Sequence, residues 1–272
     1  MSANRDEHRQ SAPAPAKKPT LPWLYAIPEG RLPDSIDVAG RTWTLEQTFK
    51  HDFFAATGCY VCGSDRAVLK VGRVGSFFGF PLRWIGRRLR DHESRLYRRL
   101  EDLPGVPAYL GDVGPTGFAH AYIPGRPLGR RDEVGDRFFD ELEALLGEIH
   151  AREIAYVDLN KRQNVLLGDD GRPYLIDFQI SYALRPSGWR RNPFTRWLLR
   201  RFQNADRYHF CKHKRRLRPD LLTAQEREIA ERVGFWIRLH RAIARPLIQA
   251  RRVVLRSLRK REEMDVAGSS AK

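Results

Sequence analysis

The sequence predicts an α+β fold in two segregated parts, a small N-terminal part of antiparallel strands with one helix and a mainly helical C-terminal part. Three observations carry that expectation. Residues 41–72 alternate apolar and polar side chains between turn-forming residues. Residues 138–153 (FFDELEALLGEIHARE) repeat apolar side chains at helical spacing, and most of the chain beyond residue 180 reads as helix. With 272 residues, 42% hydrophobic and 11% aromatic, the chain is long and apolar enough for one large domain or a closely joined pair of lobes.

Taken in order, residues 1–20 are polar, rich in Ala and Pro, and expected to form a disordered tail. Residues 21–123 are expected to form the N-terminal lobe, 124–262 the helical C-terminal lobe, and 263–272 a second disordered tail. RTWTLEQTF (41–49), TGCYVC (57–62) and AVLKV (67–71) read as strands, with Gly63-Ser64-Asp65 as a turn. VGSFFGFPLRWIG (74–86) reads as an apolar loop, flanked by Arg73 and Arg87. Leu96, Tyr97 and Leu100 recur at helical spacing, so a helix is expected there, opened by Glu93. Residues 105–125 alternate and break like a hairpin with a third strand. VDLNKRQN (157–164) is a polar loop, and NVLLGDDGRPYLIDF (164–178) reads as a hairpin with Asn164 opening its first strand.

The net charge of +16 is concentrated late in the chain. Residues 185–220 carry a net +10 and residues 235–261 a net +9, which leaves the remainder slightly acidic. Such a balance implies a polyanionic partner: phospholipid headgroups, phosphorylated glycans or nucleic acid. No apolar run reaches the roughly 18–20 residues of a membrane span, and the polar N-terminus lacks the apolar core of a secretory signal. Three cysteines are too few for a disulfide framework. These features predict a cytoplasmic protein, with the inner face of a membrane as a peripheral contact.

The chemistry concentrates in residues 154–179, IAYVDLNKRQNVLLGDDGRPYLIDFQ. Asp158 follows a long helix, Asn164 opens one strand of a hairpin, and Asp177 ends the other. Two carboxylates and an amide thus meet at the hairpin's open end. Phosphoryl transfer needs such a set: oxygen ligands for a hard cation such as Mg²⁺, and a separate carboxylate to orient a hydroxyl and accept its proton.

In these residues the sequence resembles the protein-kinase-like superfamily, over roughly residues 41–182. The resemblance implies a two-lobed kinase-like fold, ATP and Mg²⁺ between the lobes, and transfer of the γ-phosphate to a hydroxyl. It makes Asp158 the catalytic-loop aspartate, Lys161 the lysine on the transferring phosphate, Asn164 and Asp177 the metal ligands, and Asp177-Phe178-Gln179 the counterpart of DFG. Ala67-Val68-Leu69-Lys70 resembles the VAIK strand, with Lys70 on the nucleotide phosphates and Glu93 as its ion-pair partner. Phe54–Gly58, with Thr57 and Gly58, takes the place of the glycine-rich loop, and Tyr122 falls where the hinge beside adenine would run. The pattern departs at Tyr156-Val157, where His-Arg is usual, in the one extra residue between Asp158 and Asn164, and at Gln179. The short, basic C-terminal part is most similar to small bacterial kinases of lipopolysaccharide Kdo and heptose and to RIO-type kinases. That similarity implies an envelope glycolipid as acceptor, with a protein serine or threonine hydroxyl, or a catalytically weak scaffold, as the alternatives.

Four further features stand outside that pattern. Cys59 and Cys62 have zinc-like spacing, with His209, Cys211 and His213 as further ligands on paper, but residues three apart on a strand point oppositely, so packing is the expected role. Residues 77–84 read either as packing against the Glu93 helix or as an aromatic wedge for a membrane interface. Leu239, Ile243, Leu247, Val254 and Leu258 form an apolar stripe among basic residues in 235–261, which reads as a lobe-packed helix with a rim for anionic lipid. Residues 212–218 (KHKRRLR) resemble no RNA-binding motif, so nucleic acid is not the expected partner.

Overall fold

Alternating apolar residues build the first sheet, as expected from residues 41–72. In the computed structural model, which describes residues 25–27, 30–51, 53, 55–74, 83–185, 187–188 and 191–231, strands β1 (Ser35–Val38), β2 (Arg41–His51), β3 (Ala55–Cys62), β4 (Asp65–Gly72), β5 (Tyr109–Val113) and β6 (Gly117–Ala121) pair antiparallel in the order β1-β2-β3-β4-β6-β5. Gly63, at φ 62, supplies the left-handed turn between β3 and β4. The expectations placed on residues 1–20, Phe54, 77–82, 235–261 and 263–272 lie outside the described residues.

Register decides which side chains reach the site. Thr57 pairs with Lys70 and Cys59 with Val68, so these four share one face of the sheet. Ala56, Tyr60, Ala67 and Leu69 occupy the other, under a buried cluster with Ile27, Leu32, Ile36, Val38 and Trp43. Tyr60 fixes that covering segment by donating its hydroxyl to Pro33 O at 2.6 Å. The sequence reading assigned no strand to β1, whose four residues are too short to show a period.

Helix α1 (Arg83–Arg99) packs on β4, β5 and β6 with Leu96 and Tyr97 buried. It begins ten residues before Glu93, so the expectation that Glu93 opens the helix is corrected, and Arg83 and Trp84 are helical rather than loop. The early turns hid in the sequence because they are rich in arginine and contain Gly86. That glycine answers to packing: a Cβ there would meet Arg73 O at 2.2 Å.

The chain leaves the first sheet at Ala121 and enters β7 (Gly125–Pro127). Helix α2 (Phe138–Ala151) follows, then β8 (Ile154–Ala155), β9 (Val165–Gly168), β10 (Pro173–Leu175), β11 (Tyr182–Ala183), α3 (Pro193–Leu217) and α4 (Ala224–Glu231). β10, β9 and β7 form a small antiparallel sheet, and β11 pairs with β8. Asn164 closes a 3-10 turn (Arg162–Asn164) just before β9, one residue short of the strand it was expected to open. A capping box starts α3: Asn192 Oδ1 accepts from Thr195 N at 2.9 Å, and Thr195 Oγ1 accepts from Asn192 N at 3.1 Å. Phe138, Phe139, Leu142 and Ile149 of α2 share a core with Tyr156, Phe178 and Phe210, and with Tyr97 and Phe118 from the first part. The architecture is α+β, an antiparallel-sheet N-terminal lobe on a helical C-terminal lobe, as the sequence predicts. No helix among the described residues is long and apolar enough to cross a membrane.

Candidate active site

Lys70 ties the two lobes together. Its Nζ donates to Glu93 Oε1 at 2.8 Å and to Asp177 Oδ1 at 2.7 Å. One ammonium facing two carboxylates cannot neutralise both, and burial decides which acid suffers. Glu93, at 2% exposure, is pushed up by burial to about 7, against the pull of Lys70. Burial also works against the Asp177 anion, but the Lys70 charge and hydrogen bond outweigh it and hold that carboxyl below the usual range. Lys70 stays charged, since Glu93 and Asp177 together outweigh the burial that would lower its pKa.

Asp158 lies across from this trio. Its Oδ2 accepts from Lys161 Nζ at 2.6 Å and from Asn164 Nδ2 at 2.9 Å. Burial raises the Asp158 pKa, while Lys161 and Asn164 oppose the rise. Asn164 gives its amide N–H to Asp158, which leaves the amide oxygen to face a cation. Ile176 N donates to the backbone carbonyl of Asn164 at 3.0 Å, so Asn164 sits beside the residue that precedes Asp177. Asp177 adopts φ 64, a left-handed conformation held by Asp177 N donating to Tyr97 Oη at 3.3 Å.

An aromatic column fixes that strained residue. Phe178 is fully buried, edge-on to Tyr97 (centroids 5.1 Å apart) and to Tyr156 (5.2 Å). Tyr97 in turn stacks on His120 of β6, 5.0 Å away and 10° from parallel. The Tyr156 hydroxyl donates to Ile176 O. Tyr156, a departure from the family pattern in the sequence, therefore does a definite job: it seats Phe178 and ties the loop to the hairpin. Burial lowers the His120 pKa to about 4, so its ring is neutral at neutral pH.

Sequence reasoning missed Asp206. This fully buried residue of α3 accepts from Tyr156 N at 2.7 Å and Val157 N at 2.8 Å, and it contacts His150 Nε2 at 3.1 Å. It thereby holds Val157 at φ 70, immediately before Asp158. The available signal was Asp206 as the only acidic residue of the arginine-rich stretch 185–219.

The remaining predicted residues fall in different places. Thr57 is on the Lys70 face of the sheet. Gly58 is on the opposite face, and a Cβ there would meet Leu32 Cδ1 at 2.6 Å, so this glycine answers to the packing of Leu32. Residues 55–58 are ladder-paired strand, which corrects the expectation that they form a loop. Tyr122 connects the lobes, donates its N–H to Arg66 O at 3.1 Å, and stacks with Phe49 at 6.5 Å. Both rings line a cavity of about 340 Å³ with Glu46, Gln47, Cys59 and Arg66. Cys59 and Cys62 face opposite sides of β3, and Cys59 donates its thiol to Glu46 Oε2 at 3.3 Å.

No protein-family model matches the chain, and no curated protein matches it. Among solved structures it is similar to the Rio2 kinase of Chaetomium thermophilum, both as an ADP/Mg²⁺-phosphoaspartate complex (TM-score 0.49) and as the kinase itself (TM-score 0.48). Identity is 14% in each case, over 70% of this chain and 62% and 64% of those chains. The chain thus spans less than two thirds of those proteins, and a likeness this remote carries no argument about activity.

Proposed function

We propose that the protein is an ATP-dependent phosphotransferase that moves the γ-phosphate to an acceptor hydroxyl. The observation that supports this best is the Lys70 ammonium between Glu93 and Asp177, residues 23 and 107 positions away, with Asp158 and Asn164 bonded to each other alongside. A buried lysine with two acids is costly to assemble, and its natural use is to hold phosphate next to a metal.

In this reading Lys70 binds the nucleotide phosphates, and Glu93 keeps its side chain aimed into the site. Asp158 orients the acceptor hydroxyl and takes its proton. Its raised pKa suits that task, and Lys161 beside it lies where the transferring group would pass. Asn164 and Asp177 present an amide and a carboxylate oxygen, hard donors of the kind Mg²⁺ takes together with phosphate oxygens. When bound there, the metal supplies charge neutralisation on the phosphates. The base would sit near Tyr122, against Val68 and Cys59. The acceptor is an alcohol, with an envelope glycolipid ahead of a protein side chain.

The test uses γ-labelled ATP, the full chain and a cell-envelope extract, with glycolipid and protein fractions counted separately. Label that Asp158→Asn abolishes, while that variant still binds Mg-ATP, is the expected result. Full transfer by Asp158→Asn would sink the assignment. The labelled fraction identifies the acceptor class.

A further inference from the structure

A second charged place lies beside the loop that carries Asp158. Arg162 comes four residues after Asp158, in the loop that is one residue longer than the family pattern. Its Nη1 atom is buried and has no hydrogen-bond partner among the described residues. An unpartnered buried guanidinium atom is costly unless something else completes it. Burial lowers the Arg162 pKa, and Arg130 and Arg216 push it the same way, so the three positive charges lie within reach of one another.

Arg130 and Arg216 line an open cavity of about 410 Å³, together with Arg131, Asp132, Glu133, Val134, Leu217 and Arg218. Two of those charges are already satisfied. Asp132 accepts from Arg126 and from Gly129 N, and Arg218 pairs with Asp136 and Asp220. Arg130, Arg131 and Arg216 make no ion pair among the described residues, and these three arginines against Glu133 leave the cavity with an excess of positive charge.

The segments that carry Arg130 and Arg216 are bonded to the chain on either side of Arg162. On α3, His213 Nε2 contacts Leu159 O at 2.6 Å, one turn before Arg216. On the other wall, Leu128 N donates to Val165 O at 2.8 Å, two residues before Arg130. The charges acting on Arg162 are Arg130, Arg216 and Asp132, whereas those acting on Asp177 are Lys70 and Lys161. The strongest charges on the two residues thus come from different groups.

We infer that Arg130, Arg162 and Arg216 form a subsite for a phosphate group already carried by the acceptor, so that the hydroxyl presented to Asp158 belongs to a phosphate ester. Three guanidiniums match a dianion with several acceptor oxygens, and a carboxylate would leave most of that charge uncompensated. This rests on the phosphotransfer reading and names the substrate class for it.

The test titrates a soluble hexose 6-phosphate, with the unphosphorylated hexose as control, into the full chain saturated with Mg²⁺ and a non-hydrolysable ATP analogue. Vesicles of phosphatidylcholine with and without phosphatidic acid form a second arm, which separates a lipid-borne phosphate from a free ester. Arg130→Ala/Arg216→Ala is the main variant, because both side chains are exposed and their removal leaves the core intact. Arg162→Gln is the second. The expected result is phosphate-dependent binding in at least one arm, weakened about tenfold or more in both variants and retained in Asp177→Ala. Equal binding by the arginine variants, loss in Asp177→Ala alone, or equal binding of phosphorylated and plain forms would each overturn the subsite. Mg-ATP binding by the wild type, measured separately, reports failure of the nucleotide site itself.

Discussion

Removing the Asp206 carboxylate should damage the catalytic loop from behind. Asp206→Ala takes the partner from two buried backbone N–H groups, Tyr156 N and Val157 N, and from His150 Nε2. Hydrogen bonds to a charged acceptor contribute about 1.5–3 kcal/mol each, and the donors left behind stay desolvated. Two effects reduce the loss. Burial raises the Asp206 pKa, so part of the cost of holding the anion inside is recovered when it goes. Val157, a β-branched residue at φ 70, can also relax from a conformation costing about 1–3 kcal/mol. The balance is a destabilisation of about 3 kcal/mol, out of the roughly 5–15 kcal/mol that holds a domain together. The same relaxation moves Asp158, so transfer should fall further than Mg-ATP binding. Asp206→Asn keeps one acceptor oxygen and turns an amide N–H toward the second donor, and should cost about 2 kcal/mol. Denaturant unfolding at constant m reads the stability, and labelled transfer reads the loop. An alanine variant within about 0.5 kcal/mol of wild type, with full transfer, would refute the argument.

Two other predictions concern the N-terminal lobe. Gly86→Ala should destabilise the protein by about 1–3 kcal/mol although alanine is the better helix former, because the new Cβ would meet Arg73 O at 2.2 Å; a stabilised variant would show that α1 can shift away from β4. His120, held neutral by burial with a pKa of about 4 against an ordinary 6.5, contributes stability present above pH 6.5 and lost as pH falls through 4. That loss is about 3 kcal/mol. His120→Phe keeps the stack on Tyr97, so its unfolding profile between pH 6.5 and 4 should be flatter than the wild type's by that amount, and parallel profiles would dismiss the role.

What the sequence made legible follows from how local each signal is. The strands of 41–72 and the helix at 138–151 carry complete periods in a single stretch, and they were read correctly. Lys70, Glu93, Asp158, Asn164 and Asp177 were legible because a family pattern orders them, and the structure gathers them into two bonded groups. Asp206 was not legible, because its partners are the backbone N–H groups of Tyr156 and Val157, about 50 residues earlier, and backbone bonds leave no mark on sequence spacing. Gly58 was misread for a related reason. The resemblance of residues 54–58 to a glycine-rich loop suggests room for phosphate, but the close neighbour of Gly58 is Leu32 on the far face, which only the register reveals.

The departures from the family pattern sort themselves by side of the site. On the nucleotide side, Tyr156 is absorbed into packing: its ring seats Phe178 and its hydroxyl ties Ile176, so the Asp177 carboxylate still reaches Lys70. On the acceptor side, the extra residue between Asp158 and Asn164 has a different outcome. Asp158 and Asn164 still bond at 2.9 Å, so the added length is taken up in the 3-10 turn, which begins at Arg162 and leaves its Nη1 unpartnered near Arg130 and Arg216. An insertion that only lengthened the loop would have put its charge in solvent, where an arginine costs nothing. Keeping that charge partly buried beside two like charges costs free energy in the free protein, and a dianionic acceptor is the ligand that would return it on binding. In the proposed reading, what sets this chain apart therefore lies beside Arg162 and not at Lys70.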